Sequence, residues 1–218
     1  MNCSTISRRL PAVLWLAFLF PASAASQLPG LPVLQNAFAN PGITVGLNYG
    51  RAVDLTGYAV AVAWAPRSGR FAISGGVGSA KPDDTTASAA YGGRVSVPVL
   101  HVMQGALGVG AFAGFGTWPF ADRSVAVLGV AAGYQRPIGS LGVSVHAAPS
   151  YQRYSISSAT EDVSGGLFRF AAGVDVSFGG RFGATLGFES GARHRSDALG
   201  TSSSIFGLGV SYALRRVR

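Results

Sequence analysis

From residue 43 to residue 214 apolar residues fall on every second position, with small or polar residues in the gaps. The clearest run is Phe168, Phe170, Ala172, Val174, Val176 and Phe178, interleaved with Arg169, Asp175 and Ser177. It breaks at Gly179-Gly180 and restarts as Phe182, Ala184, Leu186 and Phe188, with Gly183, Thr185, Gly187 and Glu189 between. A period of two is the mark of a β-strand with one apolar and one polar face. The same pattern recurs along the chain. Ile43, Val45, Leu47 and Tyr49 define a first strand; Tyr58, Val60, Val62 and Trp64 a second; Phe71, Ile73 and Val77 a third; Tyr91, Val95, Val97 and Val99 a fourth. Leu107 to Phe115, Leu128 to Tyr134 and Leu141 to Tyr151 follow, then the two runs above, then Phe206 to Leu214. About ten strands result, with eight as the alternative if one weak hairpin is misread, and their length suits a membrane strand.

The connections alternate in character. PRSG (66–69), HVMQ (101–104), RPIG (136–139) and GG (179–180) are tight, whereas 51–56, 81–88, 117–123, 153–164 and 193–203 are longer and polar. Short turns at one end and longer loops at the other describe an all-β, up-and-down antiparallel transmembrane β-barrel. In lipid every backbone N–H and C=O must be paired, so a spanning sheet has to close on itself.

The aromatic residues sharpen this. In such an order Tyr49, Tyr58, Tyr91, Phe115, Tyr151, Phe168, Phe188 and Phe206 fall at the loop end. Trp64, Phe71, Tyr134, Phe178, Phe182 and Tyr212 fall at the turn end. Two aromatic girdles around an aliphatic band mark the two lipid interfaces.

Composition agrees. The 218 residues include 31 glycines, and only 12% are charged, against about a quarter in soluble domains. At the start, Arg8 and Arg9, an apolar run from Ala12 to Phe20 and Ala22-Ser23-Ala24 read as a cleaved secretory signal over 1–24. Residues 25–42 are then a proline-punctuated periplasmic lead-in, 43–214 the barrel and 215–218 a short basic tail. The lone cysteine, Cys3, leaves with the signal, so no disulfide is expected. The net charge of +8 drops by the two signal arginines to +6 and is scattered, with Lys81 the only lysine. No basic run interleaves with aromatics, which disfavours nucleic acid and favours anionic lipid headgroups.

On this pattern, over residues 43–214, the chain resembles the small outer-membrane β-barrel proteins of Gram-negative-type bacteria. The resemblance implies an outer-membrane location, lipid or lipopolysaccharide and the barrel-assembly machinery as partners, and no identifiable soluble partner. Such proteins usually end on an aromatic residue; this chain ends YALRRVR, with Tyr212 the nearest.

The inward positions are mostly Gly, Ala and Ser, with larger polar residues at Asn48, Arg94, His146, Arg169, Asp175 and Glu189. Folding back about Gly179-Gly180 brings Arg169 near Glu189 on one face. Such a pair either fills the barrel and fixes register, or lines the constriction of a narrow channel. RHRSDALG (193–200) is similar to the H-x-S-N motif of lipid A 3-O-deacylase barrels, with His194 and Ser196 at the base and nucleophile positions and Asp197 where that family has Asn. Asp83 and Asp84 resemble the carboxylates of ten-stranded outer-membrane proteases, or form an acidic turn. No phosphate loop, GxSxG elbow or Cys/His cluster occurs, so no cofactor or metal is expected. The expected role is non-enzymatic: envelope structure, surface contact or a narrow pore, with a His194/Ser196 esterase as the enzymatic alternative.

Overall fold

The structure is a computed structural model that describes residues 41–52, 55–82, 86–118, 123–157, 162–191 and 204–216. The signal and most of the lead-in, as well as Asp83, Asp84, His194, Ser196 and Asp197, lie outside the described residues.

Among the described residues ten strands form: β1 (Gly42–Ala52), β2 (Leu55–Ala65), β3 (Ala72–Pro82), β4 (Ser88–Val102), β5 (Leu107–Trp118), β6 (Arg123–Ile138), β7 (Leu141–Ser157), β8 (Asp162–Phe178), β9 (Phe182–Gly191) and β10 (Ile205–Arg216). Each pairs antiparallel with its sequence neighbours, and β1 pairs with β10, closing the barrel. The eight-stranded alternative is thereby excluded, since every hairpin contributes two ladder strands. Closure leaves no sheet edge.

The strands run further than the alternation of apolar residues suggests. Arg51 pairs with Thr56 and Ala52 with Leu55, so most of the expected 51–56 loop is ladder. Thr117 and Trp118 likewise pair with Ser124 and Arg123. The largest extension is the β7–β8 hairpin, two strands of 17 residues paired out to Ser157 and Asp162. The outward positions of these segments are polar (Arg51, Thr56, Thr117, Ser124, Arg153, Ser155 and Ser164), so the apolar outer stripe ends where the wall leaves the apolar layer, while the hydrogen-bond ladder continues. At the other end the connections are tight. Gly179 and Gly180 take φ of 58° and 66° between β8 and β9, a backbone region glycine enters without a Cβ clash.

Alternation decides which way each side chain points. On β2, Tyr58, Val60, Val62 and Trp64 are exposed, while Ala59, Ala61 and Ala63 are buried. The same division holds round the ring: Leu128 and Val130 on β6, Leu186 on β9, and Leu208 and Val210 on β10 all face outward.

Candidate functional site: the barrel interior

Inward positions of β4 to β9 carry most of the large interior side chains. Arg94 is 6% exposed, His146 5%, Arg169 and Asp175 3% each, and Glu189 7%. The structure gathers four of these five into two clusters. In the one nearer the loop end, the Arg169 guanidinium meets the Glu189 carboxylate diagonally across β8 and β9. Gln152 on β7 donates its amide to the same carboxylate oxygen at 3.3 Å. In the cluster nearer the turn end, Asp175 accepts from Thr185 at 2.6 Å and from Ser144 at 3.2 Å. Its Oδ2 also lies 3.1 Å from His146 Nδ1. Burying a carboxylate is costly unless its lone pairs are satisfied, and the two strands flanking β8 supply the partners of Asp175.

Arg94 on β4 is held differently. Its guanidinium carbon lies 3.8 Å from the centre of the Phe112 ring on β5, a cation–π contact. Asn48 stands outside both clusters, on β1, half-buried with its amide over the backbone of Gly209.

An apolar layer separates the clusters. Ala131, Ala148 and Ala171 are almost fully buried and pack with Phe112 and Val127. Along β8 the order is Arg169, Ala171, Gly173, Asp175, so the two charged levels lie six residues apart, roughly 20 Å along the strand. Glycine makes this packing feasible at two points. A Cβ on Gly129 would enter the Phe112 ring and come within 2.8 Å of Pro149 O. One on Gly173 would come within 2.9 Å of the His146 ring. Large inward side chains therefore lie flat over bare backbone on the facing strand.

Phe112, Val125, Val127, Gln152, Leu167 and Ile205 also fill the interior, and a search for charged and amide residues alone passes over most of them. Strand parity identifies them: once Ala111 and Ala113 point outward, Phe112 must point in. Among the described residues no three His, Cys, Asp or Glu side chains converge as metal ligands.

The outer face is apolar all round. Its aromatics contact one another within each expected girdle: Tyr49 with Tyr58, Tyr151 with Phe168 and Phe188 with Phe206 at the loop end; Trp64 with Phe71 and Phe182 with both Phe178 and Tyr212 at the turn end. Phe170 departs from the pattern, facing outward one step inside the loop-end girdle. Water-soluble monomers rarely expose contiguous apolar patches beyond a few hundred Å², whereas here the belt encircles the molecule.

A closed antiparallel barrel with an apolar belt outside and buried charges within has the architecture of a transmembrane β-barrel. No protein-family model matches the chain, and no curated protein does. Solved structures of similar fold include the N-terminal β-barrel domain of Pseudomonas aeruginosa OprF (12% identity, 78% of this chain and 95% of that one, TM-score 0.41). Others are the KdgM porin (8%, 79% and 99%, TM-score 0.41) and Neisserial surface protein A (11%, 78% and 95%, TM-score 0.40).

Proposed function

We propose that this protein is an integral protein of a bacterial outer membrane with a filled, non-conducting lumen, serving envelope structure or surface contact rather than catalysis. One observation carries the reading: the Arg169–Glu189 pair and the Asp175 cluster are both buried, with the apolar layer of Phe112, Val127, Ala131, Ala148 and Ala171 between them. Among the described inward side chains, Arg94 and Arg169 stand against Asp175 and Glu189, with every one of them buried. A pore that selects ions by a ring of charged side chains needs those charges turned toward the passing ion. Tight internal packing instead stiffens the wall and fixes strand register.

A second reading, a narrow solute path, draws on the other side of the ring. Gly46, Asn48, Ser74, Gly76 and Gly78 face inward on β1 and β3 and are only half-buried.

Planar-bilayer recording of the refolded protein separates the two. The expected result is silence from protein whose heat-shifted gel mobility proves it folded. Discrete, reproducible current steps would overturn the filled-lumen reading. Steps whose ion preference changes in Arg94→Gln or Arg169→Gln would establish the second.

A further inference from the structure

On the outward face of β1 to β3 three ladder rows stack in order. The lowest is Leu47, Val60 and Val77, all exposed. Above it come Tyr49, Tyr58 and Ser79, each carrying a hydroxyl. Above that come Arg51, Thr56 and Lys81, with Arg51 and Lys81 exposed on either side of the threonine. Neighbouring strands lie about 4.8 Å apart, so the two cations arise about 10 Å from one another. Both side chains are long enough to converge on a single phosphate. Apolar, hydroxyl and cationic rows thus follow one another from mid-barrel to the loop-end rim.

We infer that this corner binds a phosphorylated glycolipid of the outer leaflet. Acyl chains lie along Leu47, Val60 and Val77, sugar hydroxyls meet Tyr49, Tyr58 and Ser79, and a phosphate seats between Arg51 and Lys81. A hydrated cation at a lipid interface gains from an anionic headgroup. A ladder row of hydroxyl-bearing residues beside it suits a sugar better than a glycerol backbone, because it offers several donors and acceptors close together. The inference rests on the outer-membrane placement proposed above. The links that carry Asp54, Asp83 and Asp84 lie outside the described residues, and among the described residues no carboxylate faces outward on this corner.

The test is titration of the folded protein in detergent micelles with bisphosphorylated lipid A, dephosphorylated lipid A and phosphatidylglycerol, read by native mass spectrometry. Bisphosphorylated lipid A is expected to bind tightest. Arg51→Gln with Lys81→Gln should weaken it about thirtyfold, roughly fivefold for each cation near an anionic lipid. Arg136→Gln, an exposed outward cation at the opposite rim on β6, should leave it unchanged. Equal binding of dephosphorylated lipid A overturns the phosphate seat. Equal binding of phosphatidylglycerol overturns the glycolipid assignment. An unchanged double variant overturns the location. Failure of the outer-membrane reading shows itself separately: the protein would then not acquire heat-shifted mobility in micelles at all.

Discussion

Replacing Glu189 by Gln removes one charge from the interior while hardly changing side-chain volume. Arg169, 3% exposed, then keeps its positive charge with no counter-charge on β9. The substituted side chain still offers an amide oxygen to Gln152, so the neighbouring hydrogen bond survives. The cost is therefore almost wholly that of an unneutralised buried cation, about 3 kcal/mol at the low end for breaking a buried pair. With a urea m-value of about 2 kcal/mol/M, the unfolding midpoint falls by about 1.5 M. The assay is urea unfolding of the lipid-inserted barrel followed by tryptophan fluorescence, from Trp64, which faces outward at the turn-end girdle, and Trp118 on β5. A second variant controls for local damage. Arg169→Met added to Glu189→Gln removes both charges and keeps most of the volume, and should recover stability to within about 1 kcal/mol of wild type. A loss below about 0.5 kcal/mol in the single variant, the size of an exposed ion pair, would refute the reasoning: the pair would be hydrated, and the filled lumen would fall with it.

Two further outcomes follow from the packing. Gly129→Ala should destabilise by about 1–3 kcal/mol through overpacking; adding Phe112→Leu should restore only part of this in the same unfolding assay, because the contact with Pro149 O remains. Asp175→Asn keeps an acceptor for Thr185 and should cost about 1 kcal/mol, whereas Asp175→Leu strands the hydroxyls of Thr185 and Ser144 and should cost about 3 kcal/mol or more; equal losses in thermal or urea unfolding would remove the carboxylate from its central place in that cluster.

Most of the barrel was legible because one physical variable, apolar against polar, alternates with strand geometry wherever the wall crosses lipid. Ten strands and both girdles follow from it. The Arg169–Glu189 contact was legible too, since a tight Gly179-Gly180 turn fixes the register between β8 and β9. The height of the β7–β8 hairpin was not, because Ser155, Ser157 and Ser164 look like loop residues and their pairing is set by the neighbouring ladder rather than by hydrophobicity. Nor was the fit of Phe112 over Gly129 or His146 over Gly173: cross-strand neighbours depend on register, which a sequence read strand by strand does not contain. The motif around His194 and Ser196 lies outside the described residues.

The seam between β1 and β10 has a consequence for how the protein comes into being. Gly42 pairs with Arg216 and Arg51 with Phe206, so the first strand to emerge during synthesis waits for the last. Until β10 arrives, one side of β1 offers a row of bare amides and carbonyls that hydrocarbon cannot solvate. A chain cut short by a dozen residues would therefore be an open curtain with two raw edges, unable to settle in the bilayer, rather than a nine-stranded barrel. Completion and membrane entry are in this way the same event, and unfinished copies are rejected by their own hydrogen bonds.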